Sequence, residues 1–141
     1  MHITDETINL QKVFSDESPP SCGAVAYFTG IVRNHDQGRA VKSLYYDCYR
    51  SMAEKMIKAL IEEAEVRWDV EKVRVSHRIG RLEIGEVAVA IAVSSAHRAE
   101  AFETCRFMIE GIKEKVPIWK KEIFEDGMSE WVSCAHVEAA T

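Results

Sequence analysis

Four lysines surround a single proline in the segment KEKVPIWKKEIF (113–124). Lys113 and Lys115 fall in the last turn of a predicted helix, where cations complement the helix dipole. Lys120 and Lys121 fall on a predicted strand after Pro117, so their side chains point to opposite faces and one of them can face a cleft. The segment alone fits an acid–base or nucleophilic site and a solvated basic patch about equally well.

Two further segments place cations at the ends of predicted elements. In SSAHR (94–98), His97 and Arg98 open a helix, whose unpaired amide groups and dipole favour an anion. In IVRNH (31–35), Arg33 ends an apolar strand at a loop. The plainer alternatives are a serine cap followed by solvated residues, and an arginine that ends a strand in water. If the three segments meet in space, they form a pocket for an anionic ligand.

Composition restricts the class of protein. The 141 residues carry a net charge of −5 and are 47% hydrophobic, which predicts one globular domain over 1–141. No apolar run is long enough to span a bilayer and the start lacks a signal peptide, so we expect a cytoplasmic protein. The negative charge argues against nucleic-acid binding. The four cysteines and five histidines show no metal-ligand spacing, so we expect no metal and no cofactor.

Periodicity and breakers predict the order helix, two strands, helix, two strands, helix, two strands. The helices are expected over about 5–14, 51–68 and 97–116, with Met52 and Phe102 on their apolar stripes. The strands are expected over about 23–32, 41–49, 73–79 and 87–93 and after Pro117, with a turn over 80–86. This order predicts an α+β fold with a mostly antiparallel sheet and packed helices.

Five blocks carry a resemblance to a known family: FTGIVRNH, VKSLYYDCYRSMAEK, HRIGRLEIGEVAV, SSAHRAEAF and IKEKVPIWKKE. In this order, over about 23–132, they resemble the large, catalytic subunit of molybdopterin synthase, the MoaE family. The resemblance implies an α/β-hammerhead-type α+β fold in a single domain.

The resemblance also implies an activity and partners. The expected enzyme is a sulfurtransferase that moves sulfur from the C-terminal Gly-Gly thiocarboxylate of a small ubiquitin-like carrier to cyclic pyranopterin monophosphate, which forms the dithiolene of molybdopterin. The expected assembly is a heterotetramer built on a homodimer of this chain. A docking module for a ubiquitin-like protein without catalysis is the alternative, and a generic phosphate or nucleic-acid binder is a weaker one.

Site residues follow from the same resemblance. Lys113 and Lys120 match the lysines regarded as catalytic. The implied substrate-binding residues are Ile31, Val32, Arg33, His97, Arg98, Lys113, Lys120, Lys121 and Glu122. Near the C-terminus, where many members of the family carry an arginine that reaches across the dimer, this chain has Ala135 and His136.

Overall fold

The computed structural model describes residues 1–15 and 18–133. Three helices form within these residues: α1 (Leu10–Val13), α2 (Arg50–Arg67) and α3 (Arg98–Lys115). The strands are β1 (Ile3–Thr4), β2 (Ala24–Ile31), β3 (His35–Asp36), β4 (Arg39–Cys48), β5 (Val70–Arg78), β6 (Gly80–Glu83), β7 (Val87–Ser95), β8 (Ile118–Phe124) and β9 (Ser129–Ser133).

The strands form two sheets. The first has the order β1-β5-β7-β2, and the second has the order β3-β4-β8-β9 with β6 also paired to β4. Only the short β1–β5 pairing is parallel among the described pairs. The prediction of an α+β fold with mostly antiparallel strands is therefore confirmed.

Strand β7 lies at the centre of the first sheet and is buried on both faces. Its alternation of valine or isoleucine with alanine predicts such burial, because the small side chains allow close cover. Helices α3 and α2 pack on this sheet and on each other, and α1 also contacts β5 and β7. Apolar residues from both sheets and from α2 and α3 join in one buried cluster.

Three local predictions differ from the structure. The first helix is shorter than expected and is capped by the Asn9 side chain, because Thr4 belongs to the edge strand β1. Part of the expected turn over 80–86 is strand β6, which pairs with β4. Met52 and Phe102 lie outside the buried stripes of their helices, and Phe102 is 65% exposed. Each of the two helices has apolar side chains on two adjacent faces. Periodicity alone could not identify the face that packs on the core, and it therefore assigned these two residues to the core wrongly.

The α3–β8 connection determines the geometry near the predicted lysines. Val116 is extended (φ −81°, ψ 131°), as expected for a residue before proline, and it ends α3. Strand β8 then begins at Ile118 and pairs with β4 on one side and β9 on the other. Ile118, Glu122 and Phe124 are buried on its inner face. Lys120 shares that face by alternation, and Lys121 does not.

Within the described part of the chain, no helix is long and apolar enough to cross a membrane.

Candidate functional site

A cavity of about 280 Å³ lies between the two sheets and the C-terminal half of α3. Its walls come from β2, β3, β4, β5, β7, α3 and β8. They comprise Phe28, Gly30, Ile31, Val32, Arg33, His35, Asp36, Val41, Leu44, Tyr46, His77, Ala88, Val89, Ile109, Ile112, Lys113, Ile118, Lys120 and Glu122. Such a mixture of apolar walls with a few convergent polar groups is typical of a small-molecule site.

Three of the predicted cations meet at this cavity. Arg33 follows the end of β2, Lys113 lies in the last turn of α3, and Lys120 projects from the inner face of β8. The reversal at Pro117 turns the chain from helix to strand, so the two lysines approach the same space from different elements. The structure thus places Lys120, and not its neighbour Lys121, on the cavity that Lys113 lines. A cavity with three cations provides an electrostatic environment for an anion.

Glu122 is the buried acid of the site, with only 4% of its surface exposed. Its Oε2 atom lies 3.8 Å from the Lys120 Nζ atom. Burial is the largest of the effects that raise the pKa of Glu122 to about 7, and a hydrogen bond to Asp36 adds to it. The Lys120 ammonium opposes the rise by favouring the carboxylate. Glu122 therefore holds a proton over part of the neutral range.

His77 and Tyr46 line the cavity, although the sequence reasoning did not include them in the site. Their rings meet edge to face with centroids 5.2 Å apart. The Nδ1 atom of His77 lies 2.9 Å from the Arg78 carbonyl oxygen, which can only accept, so Nδ1 carries the proton in the neutral ring. Burial lowers the pKa of His77 to about 4, and the Lys113 charge acts in the same direction. A neutral imidazole is thus available beside a charged lysine.

Ile31 and Val32 also line the cavity, next to the register shift that follows Gly30 in β2. The backbone of Val32 is already engaged: its amide donates to the Glu86 carbonyl at 3.0 Å, and its carbonyl accepts from the Gly85 amide at 2.9 Å. Any substrate contact at Val32 therefore uses the free lone pair of its carbonyl oxygen or its side chain.

Three predicted site residues lie outside the cavity of this chain. Lys121 is on the outer face of β8, with Nζ 5.9 Å from the ring centroid of Trp131. His97 is the N-cap of α3 and Arg98 its first residue, and both are exposed. Arg98 and Lys113 are fifteen positions apart in α3, which is about 22 Å along a helix axis. Their roles in substrate binding stay predictions. Ala135 and His136 lie outside the described residues.

The additional site residues had weak signals in the sequence. Tyr46 and His77 occupy inward positions of alternating strands, a pattern that also fits ordinary core residues. Asp36 lies within the segment RNHDQGR (33–39), which the sequence predicts as a polar loop, and it gave no signal by itself. Among residues 1–15 and 18–133, no group of three or more His, Cys, Asp or Glu side chains could hold a metal ion.

Comparisons with known proteins give the family. The sequence profile described as MoaE protein matches residues 3–115. The molybdopterin synthase catalytic subunit of Thermoplasma volcanium is 44% identical, with 93% of this chain and 96% of the relative aligned. The subunit of the same description from Halalkalibacterium halodurans is 47% identical over 89% of this chain and 80% of its own length. The crystal structure of molybdopterin synthase from Staphylococcus aureus superposes with a TM-score of 0.87 at 42% identity, covering 93% of this chain and 95% of that one. The chain therefore belongs to the MoaE protein family.

Proposed function

We propose that this chain is the catalytic subunit of a molybdopterin synthase. In this proposal it transfers sulfur from the C-terminal thiocarboxylate of a small ubiquitin-like carrier to cyclic pyranopterin monophosphate, in the cytoplasm. The observation that carries the proposal is the convergence of Lys113 and Lys120 on one cavity, in a chain whose relatives are described as molybdopterin synthase catalytic subunits.

The charges of the cavity support an anionic substrate. Arg33, Lys113 and Lys120 supply three cations, against the carboxyl groups of Asp36 and Glu122. The cations outnumber the carboxyl groups, so the cavity has a net positive charge even when both acids are ionised, and partial protonation of Glu122 near neutral pH increases that charge. Both the phosphate of the pterin and the thiocarboxylate of the carrier are anions, so the same cations serve both reactants.

Lys113 and Lys120 are proposed to act on the reacting atoms. In each transfer the thiocarboxylate sulfur bonds to a substrate carbon as the bond from that carbon to oxygen breaks, and water then cleaves the bond between sulfur and the acyl carbon of the carrier, which leaves as a carboxylate. As ammonium groups the two lysines stabilise negative charge that develops on oxygen during the attack by sulfur, and one of them supplies a proton to the leaving oxygen. Arg33, Glu122 and the segment of Ile31 and Val32 hold the substrate. No step assigned to these side chains requires a metal ion.

His97 and Arg98 fit the proposal only if a second copy of the chain takes part. They lie about 22 Å along α3 from Lys113 of the same chain. A homodimer that places the start of α3 of one protomer at the cavity of its partner would bring these residues to a substrate. We therefore propose that His97 and Arg98 bind the substrate held by the other protomer, and that Lys121, on the outer face of β8, contacts the substrate or its carrier only within such an assembly.

Reconstitution tests the proposal. The purified chain is mixed with thiocarboxylated carrier and cyclic pyranopterin monophosphate, and molybdopterin is measured as its fluorescent oxidised derivative. We expect product in the presence of all three components. A lack of product with a carrier that is active in another synthase contradicts the proposal.

Two matched pairs of variants test the lysines. Lys113→Ala and Lys120→Ala should lower the rate by about 100-fold or more, the range for loss of a general acid. Their neighbours Lys115 and Lys121 serve as controls, because neither lines the cavity. Lys115→Ala should retain near-normal turnover, and Lys121→Ala should lose much less activity than Lys120→Ala.

Carrier binding without turnover in the unmodified protein would favour the alternative function, a docking module for a ubiquitin-like protein without catalysis.

A further inference from the structure

His77 is a buried polar residue of the cavity to which the proposed function gives no role. It lies on the inner face of β5, where it is 6% exposed, and its ring packs edge to face on that of Tyr46. Its register partner on β7 is Val89, which also lines the cavity. The imidazole is therefore enclosed by neighbours from two other strands.

Only one nitrogen of this ring has a hydrogen-bond partner among the described residues. The Nδ1–H group donates to the Arg78 carbonyl oxygen at 2.9 Å, so Nε2 is left as an acceptor at the far edge of the ring. In the part of the chain that the structure describes, the side-chain atoms that are both unpaired and wholly enclosed belong to residues other than His77. Nε2 is unpaired and therefore touches open space, and the space beside His77 is the cavity.

Burial keeps this acceptor free of a proton. It is the largest of the effects that lower the pKa of His77 to about 4; the hydrogen bond to Arg78 opposes the shift, and the Lys113 charge adds to it. At neutral pH the ring is therefore uncharged and the Nε2 lone pair is available. Such a group recognises an N–H or O–H donor and adds no charge that would attract a phosphate.

The polar groups of the cavity differ in their access to solvent. Arg33 and Lys113 are exposed and Lys120 is half-buried, whereas His77 and the apolar wall residue Leu44 are both buried. The cations thus lie towards solvent, and the neutral acceptor lies among apolar walls. A ligand with an anionic end and a neutral ring system matches this arrangement in one orientation, with its ring inside and its anion at the cations.

We propose that Nε2 of His77 accepts a hydrogen bond from an N–H or O–H group on the fused ring system of the substrate and thereby selects and orients that ring. This inference rests on the proposed function, since the ring system is that of the pyranopterin. A pterin carries N–H donors on the ring edge remote from the phosphate, which suits an acceptor set apart from the cations. His77 is a specificity-determining residue in this scheme and takes no part in the transfer of sulfur.

Equilibrium binding of cyclic pyranopterin monophosphate tests the acceptor. The enzyme is assembled with a carrier that ends in an ordinary carboxylate, so that the substrate binds without turnover. His77→Phe keeps a flat ring but removes the acceptor, and it should weaken binding about tenfold, the range for loss of one hydrogen bond. His77→Gln places an amide oxygen near the position of Nε2 and should recover part of the affinity.

Two controls separate recognition of the ring from damage to the fold. Val75→Ala alters a buried residue two positions earlier on the same face of β5 that does not line the cavity, and it should leave substrate affinity unchanged. Inorganic phosphate lacks a ring, so its affinity should be the same in His77→Phe and in the unmodified enzyme. If His77→Phe weakens phosphate as much as substrate, the variant has disturbed the cations and the assignment is wrong.

Steady-state kinetics with thiocarboxylated carrier give a second measurement. A bond that holds the substrate and the transition state equally affects KM and not kcat. His77→Phe should therefore raise KM about tenfold and leave kcat within about twofold of normal. A fall in kcat with an unchanged KM would place His77 in the chemical step beside Lys113 and overturn the proposal.

Nitrogen NMR keeps this test separate from that of the proposed function. The ¹⁵N signal of His77 Nε2, assigned by its absence in His77→Gln, should shift on saturation with cyclic pyranopterin monophosphate and stay in place with inorganic phosphate. If the substrate shifts this signal but no molybdopterin forms with active carrier, the proposed function fails and the recognition of the ring stands. If molybdopterin forms while the signal stays in place and His77→Phe binds substrate normally, the role of His77 is refuted and the proposed function stands.

Discussion

Burial and charge at single residues set the protonation states of the cavity. His77 is 6% exposed, and its pKa of about 4 keeps it neutral at physiological pH beside Lys113. The pKa of Glu122 is shifted in the opposite direction, to about 7, so its carboxyl group retains a proton up to about that pH. Burial is the largest cause of both pKa shifts, and it favours the neutral form of each group. The cavity therefore holds a neutral base and a neutral acid together with two lysines.

The lowered pKa of His77 predicts how stability depends on pH. Between about pH 4 and pH 6.5 the unfolded chain binds a proton at His77 that the folded chain does not, so the free energy of unfolding falls as the pH falls. Between pH 7 and pH 5 this residue should account for a loss of about 2 kcal/mol. The loss is measured by urea unfolding at pH 7 and pH 5, for the unmodified protein and for His77→Gln. Equal pH dependence in the two proteins would contradict the assignment.

At the scale of elements, one glycine allows the two long helices to approach closely. A Cβ atom at Gly111 in α3 would lie 2.8 Å from Cδ2 of Leu60 in α2, and both residues are buried. Glycine in a helix interior otherwise weakens the helix. The close approach matters for the site, because Ile109, Ile112 and Lys113 project from the same part of α3 into the cavity.

Gly111→Ala should therefore destabilise the protein although alanine is the better helix former. Overpacking costs about 1–3 kcal/mol, against a gain in helix propensity of about 1 kcal/mol. Adding Leu60→Ala should remove the clash, so a double-mutant cycle should give a favourable coupling of about 1 kcal/mol. Ala59→Gly, at an exposed position of α2, measures the glycine–alanine difference in this protein. If Gly111→Ala stabilises the protein and shows no coupling to Leu60→Ala, the space between the two helices accommodates a Cβ atom and the prediction is wrong.

At the scale of the whole molecule, the cavity of one chain gathers only part of the predicted set of cations. Lys113 and Lys120 belong to one cavity, whereas His97 and Arg98 lie at the distant end of α3. A dimer in which each cavity receives the start of the partner's α3 would unite them.

Complementation between inactive variants tests this arrangement. When Lys113→Ala and Arg98→Ala chains are allowed to exchange, half of the dimers are mixed and each mixed dimer holds one intact site. The mixture should thus recover about one quarter of normal activity, measured as molybdopterin formed with carrier present. Lys113→Ala mixed with Lys120→Ala should recover nothing, because both lysines line the cavity of the same chain. Equal recovery in the two mixtures, or none in the first, would place Arg98 in the site of its own chain or outside it.

Several features could be predicted from the sequence because they depend on local chemistry. The alternation of apolar and polar residues and the positions of turn-forming residues predicted most of the strands. They also predicted the burial of β7 on both faces and the end of α3 before Pro117. Strand periodicity also placed Lys120 and Lys121 on opposite faces, although it left open which one enters a cleft.

Only the tertiary structure decided which residues meet. The pairing of β8 with β4 and β9 turns Lys120 and Glu122 inward, and the packing of α3 on the first sheet brings Lys113 to them. Asp36, Tyr46 and His77 join the site from three other strands, and no local pattern distinguishes them from loop or core residues. Spacing along the chain fixes the direction of a side chain within its element. The distance between elements depends on long-range packing, which brought Arg33 to the lysines and left His97 and Arg98 far from them.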